Sequence, residues 1–232
     1  MPGYRIPGPV DEESPMVYRE PRASLTTRDP LAIRIDTTGI VHDAKVRLAI
    51  RPMIEHGAMT TISGIVVHQT GAPTARSSLD SYLLKGANGA HFLIDKDGTI
   101  YQTASVARVT HHVGQLKSRC RVEMRCTPAE TRALAGKRPG KPIGRIESAK
   151  PWPGRYPGNS DAIGIEFVSG ARPKVGGSAG EFEYDVVTRE QQAAFDWLLP
   201  RLLHHFHVRA TEVFRHPEVS WKQPSEASSV RW

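Results

Sequence analysis

The sequence has only two cysteines in 232 residues, Cys120 and Cys126. Two cysteines six positions apart, without a second pair, do not make a zinc ribbon. A helical or extended segment between them would hold their Cα atoms beyond the roughly 7 Å reach of a disulfide, so a bridge needs a tight turn and a free pair is the expectation. Long apolar runs are missing as well. Runs such as Gly64 to Val67 fall far short of the roughly 18 residues a membrane helix requires, so no span is expected. The N-terminus, MPGYRIPGPVDEESP, lacks the basic-then-apolar order of a secretory signal, so classical export is not expected. Nor is there the low hydrophobicity of a disordered chain: 39% of residues are hydrophobic and 24% are charged, enough for a sizeable core.

What the chain does have is positive charge, with 31 Lys and Arg against 24 Asp and Glu, a net +7. A pI near 9.6 suits an anionic partner, whether nucleic acid, anionic lipid or a cell-wall polymer. A nucleic-acid reader is disfavoured because neither a paired-cysteine finger nor an aromatic platform motif accompanies the charge.

Along the chain, residues 1 to about 30 are rich in Pro, Gly and charge without apolar periodicity, and residues 1–40 read as an extended arm. Residues 41–232 then form one domain. Ala44 to Met59 reads as a short strand and helix. TTISGIVVHQT reads as a buried strand, Ser77 to Leu84 as a short helix, and HFLIDKDGTIYQ as a hairpin about Asp97-Gly98. A third strand is expected within Val106 to Val113, and residues 115–160, dense in Arg, Lys, Gly and Pro, read mainly as a long basic surface loop. AIGIEFVSG reads as a second buried strand. Thr188 and Gln191 have capping-box spacing ahead of Phe195, Leu198, Leu199, Leu202, Leu203 and Phe206, a helix that Pro200 should bend.

Four residues stand out chemically. His68 closes an apolar strand, where a lone histidine is ordinarily a satisfied core residue, and the same applies to His216. Glu166 is harder to dismiss, since a carboxylate in an apolar strand needs a partner or a function. Lys222, taken alone, reads as a solvated surface charge. His204, His205 and His207 sit where a helix end favours cationic side chains.

Taken together, these segments resemble the zinc-dependent N-acetylmuramoyl-L-alanine amidases, the type 2 amidases related to peptidoglycan recognition proteins. The resemblance runs from about Ile62 to Ala227. GIVVHQT is similar to the first metal-histidine strand, GAHFLIDKDGTIYQ to the hairpin, and HHVG to a WHAG-like turn. NSDAIGIEF is similar to the segment with the catalytic glutamate, TREQQAAFDWLL to the long helix, and FRHPEVSWKQP to the second metal histidine with its lysine. The resemblance implies an α/β fold, a central mixed sheet flanked by helices, carrying here an N-terminal extension and a long basic insertion.

It also implies hydrolysis of the amide between N-acetylmuramic acid and L-alanine in peptidoglycan or its fragments. His68 and His216 would ligate Zn2+, Glu166 would act as general base and acid, and Lys222 would stabilise the oxyanion. The third ligand departs from the family's K-x-D-P-G pattern, because Lys222 is followed by Gln223, Pro224, Ser225 and Glu226. Glu226, ten residues after His216, is the candidate; Gln223 is the alternative, although a neutral amide is a poor zinc ligand. His112 is expected to touch substrate or, failing that, to support the metal site, and His91 to pack within the sheet. Ala90 stands where some phage members carry a tyrosine, which favours the glutamate-using branch.

A peptidoglycan-binding module of the same fold without hydrolysis is the competing reading. Synthesis in the cytoplasm leaves three routes to substrate: recycling of imported fragments, delivery to a neighbour's periplasm with an immunity protein as partner, or release on phage-type lysis.

Overall fold

In a computed structural model the described residues are 29–232, and the first 28 residues of the arm assigned to 1–40 lie outside them. A compact unit runs from Leu31 to Trp232. It includes residues that the sequence places in the arm, since Ile33 packs in the core and Ile35 bridges to Val41.

The β-branched runs noted above become strands of one six-stranded mixed sheet. In chain order its members are β1 (Val46–Leu48), β3 (Gly64–Gln69), β4 (Phe92–Ile94), β5 (Ile100–Gln102), β7 (Ala162–Phe167) and β10 (Val213–Arg215); β2 (Glu55–Ala58) and β6 (Arg108–Thr110) pair separately. Across the large sheet the order is β1-β5-β4-β7-β3-β10. Only β4 and β5, the two arms of the hairpin about Asp97-Gly98, run antiparallel.

Alternation along β3 and β7 gives the two faces of this sheet different tasks. Ile65, Val67, Ile163, Ile165 and Phe167 face α5 (Arg189–Phe206), where they meet Phe195, Leu198 and Leu202. The expected capping box of Thr188 and Gln191 starts this helix, which runs unbroken through Pro200. Gln191 also reaches into the sheet, donating to the carbonyls of Ile94 and Val168. The opposite face carries Val66 and Ala162 against Val113, Leu116, Tyr156 and Val219, and at its far end carries His68 and Glu166.

Residues 115–160 are more ordered than a surface loop. They hold α2 (Arg119–Val122), α3 (Pro128–Leu134) and α4 (Lys141–Ser148), with a small core of Cys120, Leu134 and Ile143. Cys120 and Cys126 are bridged, not free, because the chain supplies the tight turn that bridging needs. Met124 adopts a left-handed φ of 53°, Arg125 N–H bonds back to the Cys120 carbonyl, and the two cysteine Cα atoms come within 4.6 Å. The remaining elements are α1 (Ala75–Ser81), capped by Thr74, the hairpin β8 (Ala171–Pro173) and β9 (Phe182–Tyr184), and α6 (His216–Val219). No helix among the described residues is long and apolar enough to cross a membrane.

Candidate metal and active site

Register alone brings three of the singled-out residues together. In the parallel pair β3 and β7, His68 lies directly opposite Glu166. In the parallel pair β3 and β10, Arg215 lies opposite Val67, so His216, the next residue, emerges level with His68. All three sit at the carboxyl ends of parallel strands, where open α/β sheets commonly place their ligands. They line a cleft of about 440 Å³ together with His112, Tyr184, Lys222 and Glu226.

The hydrogen bonds fix which nitrogen of each imidazole carries a proton. His112 Nε2 is 3.1 Å from the Ala162 carbonyl, which can only accept, so Nε2 donates and Nδ1 is an acceptor. His68 Nε2, 2.9 Å from that Nδ1, therefore donates to it. His216 Nε2 donates to the Val113 carbonyl at 2.9 Å. In both His68 and His216 the lone pair is thus left on Nδ1, and these two atoms are 2.8 Å apart. Glu226 Oε1 completes the group, 2.9 Å from His216 Nδ1 and 3.4 Å from His68 Nδ1.

Three buried electron-pair donors converging with no proton between them repel one another unless a cation lies among them. His68, His216 and Glu226 are accordingly a set that could hold a metal ion. Two imidazoles and a carboxylate match the donor preferences of a borderline ion such as zinc, and each ring's second nitrogen is oriented by a protein acceptor, as is usual for metal-ligating histidines. Burial, and then the adjacent His216, push His68 down to about 4, so it is neutral at pH 7.

For His112, expected to touch substrate or to support the metal site, the contacts bear on the second of these roles. It borders the cleft, but both of its nitrogens are engaged inside the protein, one with His68 and one with Ala162. Room for its ring comes from Gly164 of β7, where a Cβ would lie 2.8 Å from His112 Nδ1. Asn159 Oδ1 accepts from the backbone N–H groups of His112 and Val113 and so fixes the HHVG turn. His91 packs within the sheet, accepting from Gly164 N–H and donating to the Arg108 carbonyl.

Gln223, the alternative third ligand, is turned away from the cluster. Its Oε1 accepts from Phe182 N–H and its Nε2 donates to the Gly180 carbonyl. The loop it belongs to is held from a second side by Gln69, whose Oε1 accepts from Ala227 N–H immediately after Glu226. His204 and His205 lie exposed at the end of α5, and His207 caps it in a left-handed conformation, all outside the cleft.

Glu166 has a partner that the sequence reading missed. The Tyr82 hydroxyl donates to its Oε2 at 2.6 Å. Burial pushes the Glu166 carboxyl up and the Tyr82 hydrogen bond opposes that shift, leaving it raised. Tyr82 is itself buried at the C-cap of α1, and nothing in the local sequence distinguishes it from a core tyrosine.

The family model described as N-acetylmuramoyl-L-alanine amidase, Amidase_2, matches residues 58–228. The chain belongs to that family. Its activity class is therefore that of a peptidoglycan amidase, and the six-stranded mixed sheet flanked by helices is the amidase fold expected from the sequence. No curated protein matches the chain. Among solved structures it is similar to the endolysine N-acetylmuramoyl-L-alanine amidase LysCS from Clostridium intestinale URNW, at 19% identity over 78% of this chain and 86% of that one, with a TM-score of 0.39. It is also similar to a selenomethionine derivative of AmpD, at 17% identity over 83% and 93% with a TM-score of 0.48. AmpDH3 from Pseudomonas aeruginosa, in complex with anhydromuramic pentapeptide, is 19% identical over 68% of this chain and 51% of that one, with a TM-score of 0.44.

Proposed function

We propose that this amidase is zinc-dependent and cleaves the amide between the lactyl group of N-acetylmuramic acid and the first L-alanine of the stem peptide. The observation that carries this reading is the convergence of His68 Nδ1, His216 Nδ1 and Glu226 Oε1, three lone-pair donors that no proton separates. Bound to these atoms, zinc supplies Lewis acidity, which polarises a carbonyl and acidifies water.

The chain's own residues do the rest. Glu166 is a strengthened base because burial raises its carboxyl, and with Oε2 occupied by Tyr82 its Oε1 is the oxygen available to take the proton of the attacking water. The same carboxyl returns that proton to the alanine nitrogen as the C–N bond breaks. Lys222, on the cleft wall, offers its ammonium to the negative charge that develops on the carbonyl oxygen. His112 acts through His68, fixing that ring with its Nδ1 toward the cluster.

Polymeric wall is favoured over recycled cytoplasmic fragments as substrate by the Cys120–Cys126 bridge, since disulfides persist in oxidising compartments and are rare in the cytosol. The test is metal analysis of the purified protein together with mass spectrometry of digested muropeptides. About one zinc per chain, chelator-sensitive turnover and stem peptides bearing a free alanine amine are expected. Full activity in thoroughly demetallated protein, or products that keep the muramoyl group on alanine, overturn the proposal.

A further inference from the structure

The chain's net positive charge is confined to one segment. Residues 115–160 contain eleven Lys and Arg against three Asp and Glu, whereas the rest of the chain has 20 against 21. The insertion thus holds a charge of +8, and everything outside it sums to −1.

Part of this charge is structural. Arg119 is buried on Glu212 through two hydrogen bonds of 2.9 Å, Lys150 joins Glu130 to Glu147, Arg155 pairs with Asp161, and Arg125 pairs with Glu123. These bonds, the disulfide and the small core of Cys120, Leu134 and Ile143 tie the insertion together and to Glu212, the residue before β10. Lys117 and Arg121 donate to the backbone carbonyls of Pro217 and Leu134, which leaves five cations: Arg132, Lys137, Arg138, Lys141 and Arg145. All five are exposed, none forms an ion pair among the described residues, and they fall within 14 consecutive positions from the end of α3 to the middle of α4. Five uncompensated like charges weaken the compact state by mutual repulsion, so stability does not explain them.

The insertion also starts and ends at the active-site cleft. Gly114, just before it, and Asn159, near its end, both line the cleft. Its helix α4 packs on the residue next to that rim, so closely that a Cβ on Gly144 would meet the side chain of Gln115. Arg145 is the residue after Gly144.

We propose that the exposed face of α3, α4 and the turn between them is an exosite for the polymeric substrate, binding the carboxylates of stem peptides that neighbour the one in the cleft. This rests on the amidase reading above. A single soluble muropeptide places one stem in the cleft and has none left for the exosite, whereas a wall polymer presents many stems, each ending in a free carboxylate. The exosite therefore raises the local concentration of polymer and adds nothing to chemistry on a small fragment.

The experiment compares wild type with the variant carrying Arg132→Gln, Lys137→Gln, Arg138→Gln, Lys141→Gln and Arg145→Gln, all at exposed positions. Each protein is assayed at low and high salt on protein-free insoluble sacculi and on a soluble N-acetylmuramoyl tripeptide, and sedimentation with sacculi measures binding separately from turnover. At low salt the variant should be about tenfold slower on sacculi and bind them less, while its kcat/KM on the soluble substrate is unchanged. Wild-type binding should weaken with salt and on sacculi whose carboxylates have been amidated.

Equal binding and turnover of the two proteins on sacculi overturn the proposal, as does unchanged wild-type binding to amidated sacculi. Loss of duplex DNA binding in the variant with sacculus binding intact also overturns it, and assigns the face to nucleic acid. If wild type cleaves neither substrate, the amidase reading fails, while the sedimentation measurements still decide the exosite.

Discussion

His68 donates a hydrogen bond from Nε2 to Nδ1 of His112, and that bond determines which nitrogen of His68 faces Glu226. The tautomer is set from 44 residues away in sequence by a ring that itself donates to the backbone of β7. Removing the second partner of a metal-ligating histidine typically costs 10- to 100-fold in metal affinity. His112→Ala should therefore weaken zinc binding about that much in chelator competition. With zinc at saturation, KM should change less than kcat; a rise in KM alone would instead mark His112 as a substrate contact.

Glu166→Gln keeps the size and most of the polarity of the side chain but removes its basicity. It should retain zinc and lose about 10²- to 10⁴-fold in kcat. Tyr82→Phe tests the same site more finely. The tyrosine hydrogen bond stabilises the charged carboxylate, so its loss raises the Glu166 carboxyl further. Since the base must be ionised, the acid limb of the pH profile of kcat should move to higher pH, while the maximal rate on the plateau falls little. An acid limb that stays in place separates Glu166 from that ionisation.

The strands and the capped long helix were legible because each leaves a local mark, whereas His68 and His216 alone read as core histidines and Glu226 entered only through the family resemblance. β-branched runs bounded by polar residues delimit β3 and β7, and a carboxylate or an imidazole at the end of such a run breaks its apolar pattern. The insertion was not legible in the same way. Its helices are four to eight residues long, too short for periodicity to show, and α3 and α4 each carry a proline in their first turn, which reads equally well as a loop. The bridge of Cys120 to Cys126 depends on one left-handed residue, Met124, and methionine gives no signal for that conformation. Tyr82 and Glu166 meet across 84 positions with no strand register between them, so their contact exists only in three dimensions.

His91 gives a pH dependence of stability with a definite sign. It is fully buried, and burial pushes it from 6.5 down to about 4. In that interval the unfolded chain holds a proton that the folded chain does not, so stability rises with pH there. The contribution is complete above about 6.5 and is lost as pH falls toward 4, by roughly 3 kcal/mol at the lower end. His91→Gln keeps an acceptor for Gly164 N–H and a donor for the Arg108 carbonyl without a titrating ring. Denaturant unfolding across this range, in excess chelator, should show a slope shallower by up to one proton in the variant. An identical slope would move the effect to His68 and His112.

The Cys120–Cys126 bridge closes a very short loop, so chain entropy limits its stabilisation to roughly 2 kcal/mol. Its influence should also be local. Cys120 packs with Leu134 and Ile143 inside the insertion, whereas the cluster of His68, His216 and Glu226 stands on β3, the end of β10 and the loop held by Gln69. The double variant Cys120→Ala with Cys126→Ala should therefore exchange the amide hydrogens of α2, α3 and α4 faster while those of β3 and β7 keep their protection. Zinc content should be unchanged, and so should turnover of a soluble muropeptide. Faster exchange spreading into β3 and β7 would show instead that the insertion is part of the cooperative core. The exposed cations of α3 and α4 would then owe their placement to the whole sheet and not to the bridge.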